Sequence, residues 1–299
     1  MAGPAAPADA VAVARQPAGS DSGGVAAGAW RPLFDGQTLA GWHAVPRLPT
    51  AQAPGTDEVI DPASAGYRAA AATSGRWWVE DGAIVGGQEV TGFGGYLVTD
   101  QTFGDFELRF EVRPDWPADT GVLLRATPRG TQGFQVLIDH RKSGSIGGFY
   151  GNGIGGFHLL AFNLDVVRDR SGRPKALQVE TPATTLEPVT PVKRASLSHA
   201  VAPEDFLRTW RFGGWNEFQV RCEGTYPVLT TWLNGLKLYQ VDTAAITGFP
   251  LYDRDQVLAL LGRQGHIALE VHDNDPGMGE ARWAPGAVVR WRNLVIREL

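Results

Sequence analysis

Glu107 and Glu111, four residues apart in DFELRFEVR, have the types needed for the acid and its partner in glycoside hydrolysis. Along a strand that spacing puts their α-carbons ~13 Å apart, whereas carboxyl pairs work at ~5–5.5 Å with retention and ~6.5–9.5 Å with inversion. With Arg109 between them, they read better as a ladder of alternating charge. Asp139, His140, His272 and Asp273 have side chains suited to a divalent metal ion if the fold brings them together, so such an ion is a candidate cofactor. HDNDPG, residues 272–277, fits a calcium loop poorly, because its glycine is misplaced and no glutamate stands where the bidentate ligand would be. Gly151, Gly153 and Gly156 have dinucleotide-loop spacing, but Phe157-His158-Leu159-Leu160 and then irregular sequence follow where a helix should start, so no nucleotide cofactor is expected.

The elements that must position these groups are strands. Apolar and polar residues alternate in 105–113, 121–126, 134–140, 216–223, 266–272 and 288–299, separated by glycine- and proline-rich turns. Asn234-Gly235 between two such runs predicts a tight hairpin, since both residues tolerate positive φ. Helices are expected only at 203–210 and 255–261. The pattern argues for two antiparallel sheets packed face to face. Strand parity sets Glu107, Arg109, Arg125, Gln135, Asp139, Glu217, Gln219, Arg221, Glu270 and His272 opposite the core, where together they can carpet one sheet. Tryptophans beside turns, Trp77, Trp78, Trp116 and Trp215, add aromatic platforms of the kind a sugar ring stacks on. Residues 163–203 keep no period and read as a long excursion.

Composition narrows the partners. A formal charge of −5 carries no basic excess for nucleic acid, and no window approaches the ~20 apolar residues of a membrane span. The single cysteine, Cys222, excludes an intramolecular disulfide and reads as a buried strand residue. Residues 1–29, rich in Ala, Gly and Pro, read as a disordered leader, and one economical account is an exported, extracytoplasmic protein without its signal.

The segments FDGQTLAGW, WWVEDGAIVGG, GGYLVTDQTFGDFELRFEVR, TGVLLRA, GFQVLIDH, WNEFQVRCEG, TTWLNGLKL, GHIALEVH and VVRWRNLVIREL, in this order, resemble the 3-keto-disaccharide hydrolase domain family. The resemblance covers nearly all of residues 31–299 and implies a concanavalin A-like jelly-roll β-sandwich, here one domain at 30–299 with a long insertion at about 141–214 that can reshape the substrate rim. Arg125 falls on the family's arginine, Asp139 on its aspartate and His272 on its histidine. Gln135 stands where glutamate is usual and Glu270 where glutamine is usual, one carboxylate lost and one gained; if the two meet in one pocket, the charge has changed strands.

The resemblance further implies an enzyme for 3-keto-glycosides. The carbon-3 ketone acidifies the carbon-2 proton, a base forms an enediolate that expels the carbon-1 substituent, and water adds back, giving net hydrolysis or a lyase product. On this reading His272 or Asp139 is the base, Glu270 the acid, and Arg125 or a bound metal the oxyanion stabiliser, with Gln135, Glu107, Arg109 and Trp116 as substrate contacts. The alternatives are a non-catalytic carbohydrate-binding module, which needs no perturbed acid or base, and a conventional endo-glycoside hydrolase, which needs convergent carboxylates.

Overall fold

A computed structural model describes residues 28–54, 61–275 and 277–299, so the expected leader at 1–29 lies almost wholly outside the described residues. The alternating runs form two large antiparallel sheets. The nine-stranded sheet runs Leu197–Ala200, Leu236–Asp242, Val228–Leu233, Asn216–Glu223, Phe106–Pro114, Val288–Glu298, Ala83–Gly87 and Arg76–Glu80, with Arg31–Pro32 also paired to Val288–Glu298. The seven-stranded sheet runs His158–Leu159, Ile146–Asn152, Gly133–Ile138, Thr120–Ala126, His266–Val271, Gly95–Thr99 and Trp42–Pro46. This is the jelly-roll β-sandwich that the resemblance implies.

Alternation decides what lies between the sheets. Phe106, Leu108, Phe110 and Val112 enter from one side and Val122, Phe134, Val136, Ile138, Leu269 and Val271 from the other, all in one core. Phe110 stacks on Phe218 of the neighbouring strand at 5.4 Å between ring centroids, and Cys222 is fully buried. Asn234 and Gly235 have φ of 47° and 85°, the left-handed pair that joins Val228–Leu233 to Leu236–Asp242. Helices occupy Pro203–Thr209 and Arg254–Leu261, where the sequence pattern predicts them, and also Ala65–Ala71 and Pro191–Ala195, short alanine- and proline-started turns that the pattern does not mark. Among the described residues, no helix is long and apolar enough to cross a membrane.

The insertion is narrower than 141–214. Ile146–Asn152 and His158–Leu159 extend the seven-stranded sheet and Leu197–Ala200 edges the other, so the chain leaves the sandwich over about residues 160–196, where Leu164–Arg168 pairs with Pro174–Val179. IGGFYGN shows no alternation because its small residues answer to close packing. A Cβ on Gly151 would meet the Phe157 ring at 2.5 Å.

Candidate active site

The ten polar-face residues do not share one sheet. Parity separates core from surface but is silent on which of two sheets a strand joins. Glu107 and Arg109 lie on the outer face of the nine-stranded sheet, where Arg297 Nε donates to Glu107 at 2.9 Å and Arg109 Nε to Gln219 at 3.2 Å. Glu111 accepts from Arg292 on the same ladder. Arginines also cover the neighbouring indoles, Arg109 over Trp30 at 4.5 Å and Arg292 over Trp215 at 4.2 Å. Trp116 lies elsewhere again, with Arg168 over its ring at 4.7 Å and its Nε1 donating to the His140 carbonyl. Glu107, Arg109 and Trp116 are therefore not contacts of the cavity that holds Asp139 and His272, and none of the ten tryptophans lines it.

That cavity, about 310 Å³, opens on the outer face of the seven-stranded sheet. It is at the small end of the ~300–1,000 Å³ range of small-molecule sites. Strand alternation places Gln135 on this face, and Gln135 Nε2 donates to Glu270 Oε2 two strands away. The reach is possible because Gly121 occupies the strand between, where a Cβ would come within 2.6 Å of Gln135 Nε2. The two positions that depart from the family pattern thus meet. Glu270, itself 1% exposed, is held from the other side by Arg47 Nε at 3.0 Å. Arg47, just past the edge strand Trp42–Pro46, also reaches Asp273 at 2.5 Å and His272 Nε2 at 2.9 Å. Glu270 is thereby a buried anchor for Arg47 and Gln135 rather than an acid facing a leaving group.

His272 Nε2 also faces Arg282 Nη1 at 3.2 Å, and its Nδ1 lies 2.7 Å from the Asp273 carbonyl. Guanidinium nitrogens only donate, so Nε2 is engaged as their acceptor and Nδ1 donates. This leaves His272 a poor candidate for the base.

The opposite wall carries Asp139, Arg141, Asp119, Arg282 and Glu187. Arg141 Nε lies 3.0 Å from Asp139 and 3.7 Å from Asp119, and Arg282 pairs with Asp119 at 2.5 Å. Burial alone would raise Asp119, but the Arg282 and Arg141 guanidiniums beside it outweigh that and hold its carboxyl below the usual range. Asp139 goes the other way. Burial pushes it up to about 7 against the pull of Arg141, and the Asp119 charge adds to the rise. The outcome is one ionised and one titratable carboxyl among three guanidiniums.

Arg125 does not join them. A bulge against His266–Val271 puts Arg125 at φ 48°, turning a residue that parity places on the sheet face toward the sandwich rim. There its guanidinium donates to the Gly104 and Gly224 carbonyls and to Asp105 at 2.7 Å. Arg125→Met is expected to cost about 3 kcal/mol of stability, because a charged donor to several carbonyls is lost, while ligand affinity at the cavity stays unchanged. Urea unfolding alongside ligand titration checks both halves.

The proposed metal set does not converge. His140 is buried between Trp210 and Phe212 and pushed down to about 4 by burial, outside the lining of the cavity that holds Asp139, while His272 and Asp273 are taken up by arginines. Among the described residues, no three His, Cys, Asp or Glu side chains group as a cation site. GNGIGG ends the strand Ile146–Asn152 and turns the chain back into His158–Leu159.

Arg47, Asp119, Arg141, Glu187 and Arg282 were not singled out by the sequence pattern. The available signals were local and weak: arginine directly after Asp139-His140, and aspartate directly before the TGVLLRA strand.

The profile of a family described as the 3-keto-alpha-glucoside-1,2-lyase-like domain matches residues 29–297. No curated protein matches the chain. Similar solved structures include a proposed glycosyl hydrolase from Parabacteroides distasonis ATCC 8503, 16% identical, covering 91% of this chain and 94% of that one with a TM-score of 0.44. The carbohydrate binding module CBM66 from Bacillus subtilis is 11% identical over 75% of this chain and 92% of its own, TM-score 0.41. A Bacillus licheniformis beta-glucanase is 7% identical over 91% and 98%, TM-score 0.42.

Proposed function

We propose, from the premise that this chain belongs to the 3-keto-alpha-glucoside-1,2-lyase-like domain family, that its cavity cleaves 3-keto-glycosides by elimination and hydration. The observation that carries this reading is a cavity-lining carboxyl, Asp139, raised to about 7 beside Arg141, with Arg282 on the same wall. A base poised near neutral pH and fixed cations are what enolisation needs.

In the proposed reaction Asp139 takes the carbon-2 proton, and the electron pair left behind forms the carbon-2–carbon-3 double bond. The carbon-3 oxygen becomes negative, and the guanidiniums of Arg141 and Arg282 stabilise that charge. Collapse of the enediolate expels the carbon-1 substituent, which takes a proton from water and leaves a double bond between carbons 1 and 2. Water then adds its hydroxyl at carbon 1, and a proton returns to carbon 2. The pair of convergent glycosidase carboxylates is not used.

In heavy water, the product of cleaving a 3-keto-glucoside is expected to carry deuterium at carbon 2, read by NMR, and the parent glucoside is expected to stay intact. Robust cleavage of an unoxidised disaccharide would place the protein with ordinary glycosidases, and hydrogen retained at carbon 2 would argue for direct displacement at carbon 1, provided Asp139 does not return the proton it took. Binding without turnover of any 3-keto-glycoside would favour the non-catalytic module.

A further inference from the structure

The excursion over residues 160–196 returns to the cavity and leaves one charged side chain in its lining, Glu187. The return is heavily tied. Ser143 Oγ donates to Glu180 at 2.9 Å and accepts from the Leu186 amide at 2.8 Å. Asn163 Nδ2 donates to the Glu187 carbonyl at 2.6 Å, and Arg141 Nη2 to the Glu187 carboxylate at 2.9 Å. Glu187 is also the most open charged group of the lining, 31% exposed where the arginines are at most 18%. Of the charges lining the cavity, it is the one most open to an entering ligand.

We propose that Glu187 is a specificity-determining residue that restricts the cavity to neutral sugars and repels uronates and glycosides with an acidic leaving group. The charged lining is Arg47, Arg141 and Arg282 against Asp119, Asp139 and Glu187, close to balance when Asp139 is ionised. Without Glu187, Arg47 stays on Glu270 and Asp273 and Arg282 on Asp119, but Arg141 Nη2 loses the carboxylate it donates to and is open to one on a ligand. With Glu187 in place, Arg141 is already paired, and a second negative charge must approach a fixed one within a few ångströms. At a partly open site the repulsion is expected to amount to about tenfold in affinity.

This inference rests on the cavity being the sugar site of the proposed function, and its test uses binding rather than turnover, so that the two can fail separately. Calorimetric titration compares methyl glucoside with methyl glucuronide on the wild-type protein, Glu187→Gln, Glu187→Asp and, as a charge control, Glu204→Gln on an exposed helix end. The wild type is expected to prefer the neutral sugar by about tenfold, Glu187→Gln to lose or invert that preference, and Glu187→Asp and Glu204→Gln to keep it. An unchanged ratio in Glu187→Gln, equal binding of both sugars by the wild type, or binding of neither overturns the proposal. Turnover of a 3-keto-glucoside, measured on the wild-type sample, reports on the parent reading alone.

Discussion

Asp139→Asn is expected to lower turnover of a 3-keto-glucoside by ~10²–10⁴-fold, the usual cost of a lost general base. The substitution keeps shape and much of the hydrogen bonding, so the binding of substrate should change far less than its conversion. The pH profile carries the sharper signature. With its carboxyl raised to about 7, the free wild-type enzyme has an ionised base only above neutrality, so kcat/KM should rise as pH increases through about 7 and level off above. That acid limb should vanish in the asparagine variant. Stability moves in the opposite sense: the folded state holds the Asp139 proton more tightly than the unfolded chain, so this carboxyl costs stability progressively as pH rises from the ordinary carboxylate range through about 7. A wild-type activity profile flat between pH 5 and pH 9, or full activity in Asp139→Asn, would remove Asp139 from the chemistry.

The contact between Gln135 and Glu270 makes a second large effect testable. Glu270→Gln leaves two amides face to face and deprives half-buried Arg47 of one partner, for an expected loss of about 3 kcal/mol. Gln135→Glu sets a second carboxylate against a buried one, and a loss of similar size is expected, about 3 kcal/mol. The double variant carries glutamate at 135 and glutamine at 270, the arrangement the family resemblance implies, and should recover to within about 1 kcal/mol of the wild type. Denaturant unfolding of all four proteins closes the cycle. If the two losses simply add, the charge has not changed strands, and the two departures from the family pattern are independent accidents.

Strands were legible wherever one face is buried and the other wet. Asn216–Glu223 alternates so regularly that its bounds follow from the residues alone, whereas Ile146–Asn152 is written in glycines and shows no period. The site was legible in part for the same reason. Gln135 and Glu270 sit within alternating strands and Asp139 and His272 just past the ends of two, and all four lie in or directly behind the cavity wall. Arg125 was misplaced because a bulge breaks parity at one residue. Arg47 meets Glu270 across 223 positions of sequence, and Arg282 and Glu187 come from loops, so no local period marks them. Their role is fixed only when two sheets and an excursion have closed around one space.

Val288–Glu298 lies between Phe106–Pro114 and Ala83–Gly87, in the interior of the larger sheet. Until that strand is made, the nascent chain has two unjoined flaps, each with an open edge, and no Val289, Trp291 or Ile296 to fill the core between them. At roughly 5–20 residues per second, the edge of Phe106–Pro114 waits on the order of ten to forty seconds for its partner during synthesis. The sandwich is thus keyed by a strand that comes long after the neighbours it joins. Closure of the larger sheet waits for that strand, and whatever shields the edge in the interval acts on this protein as surely as its own core does.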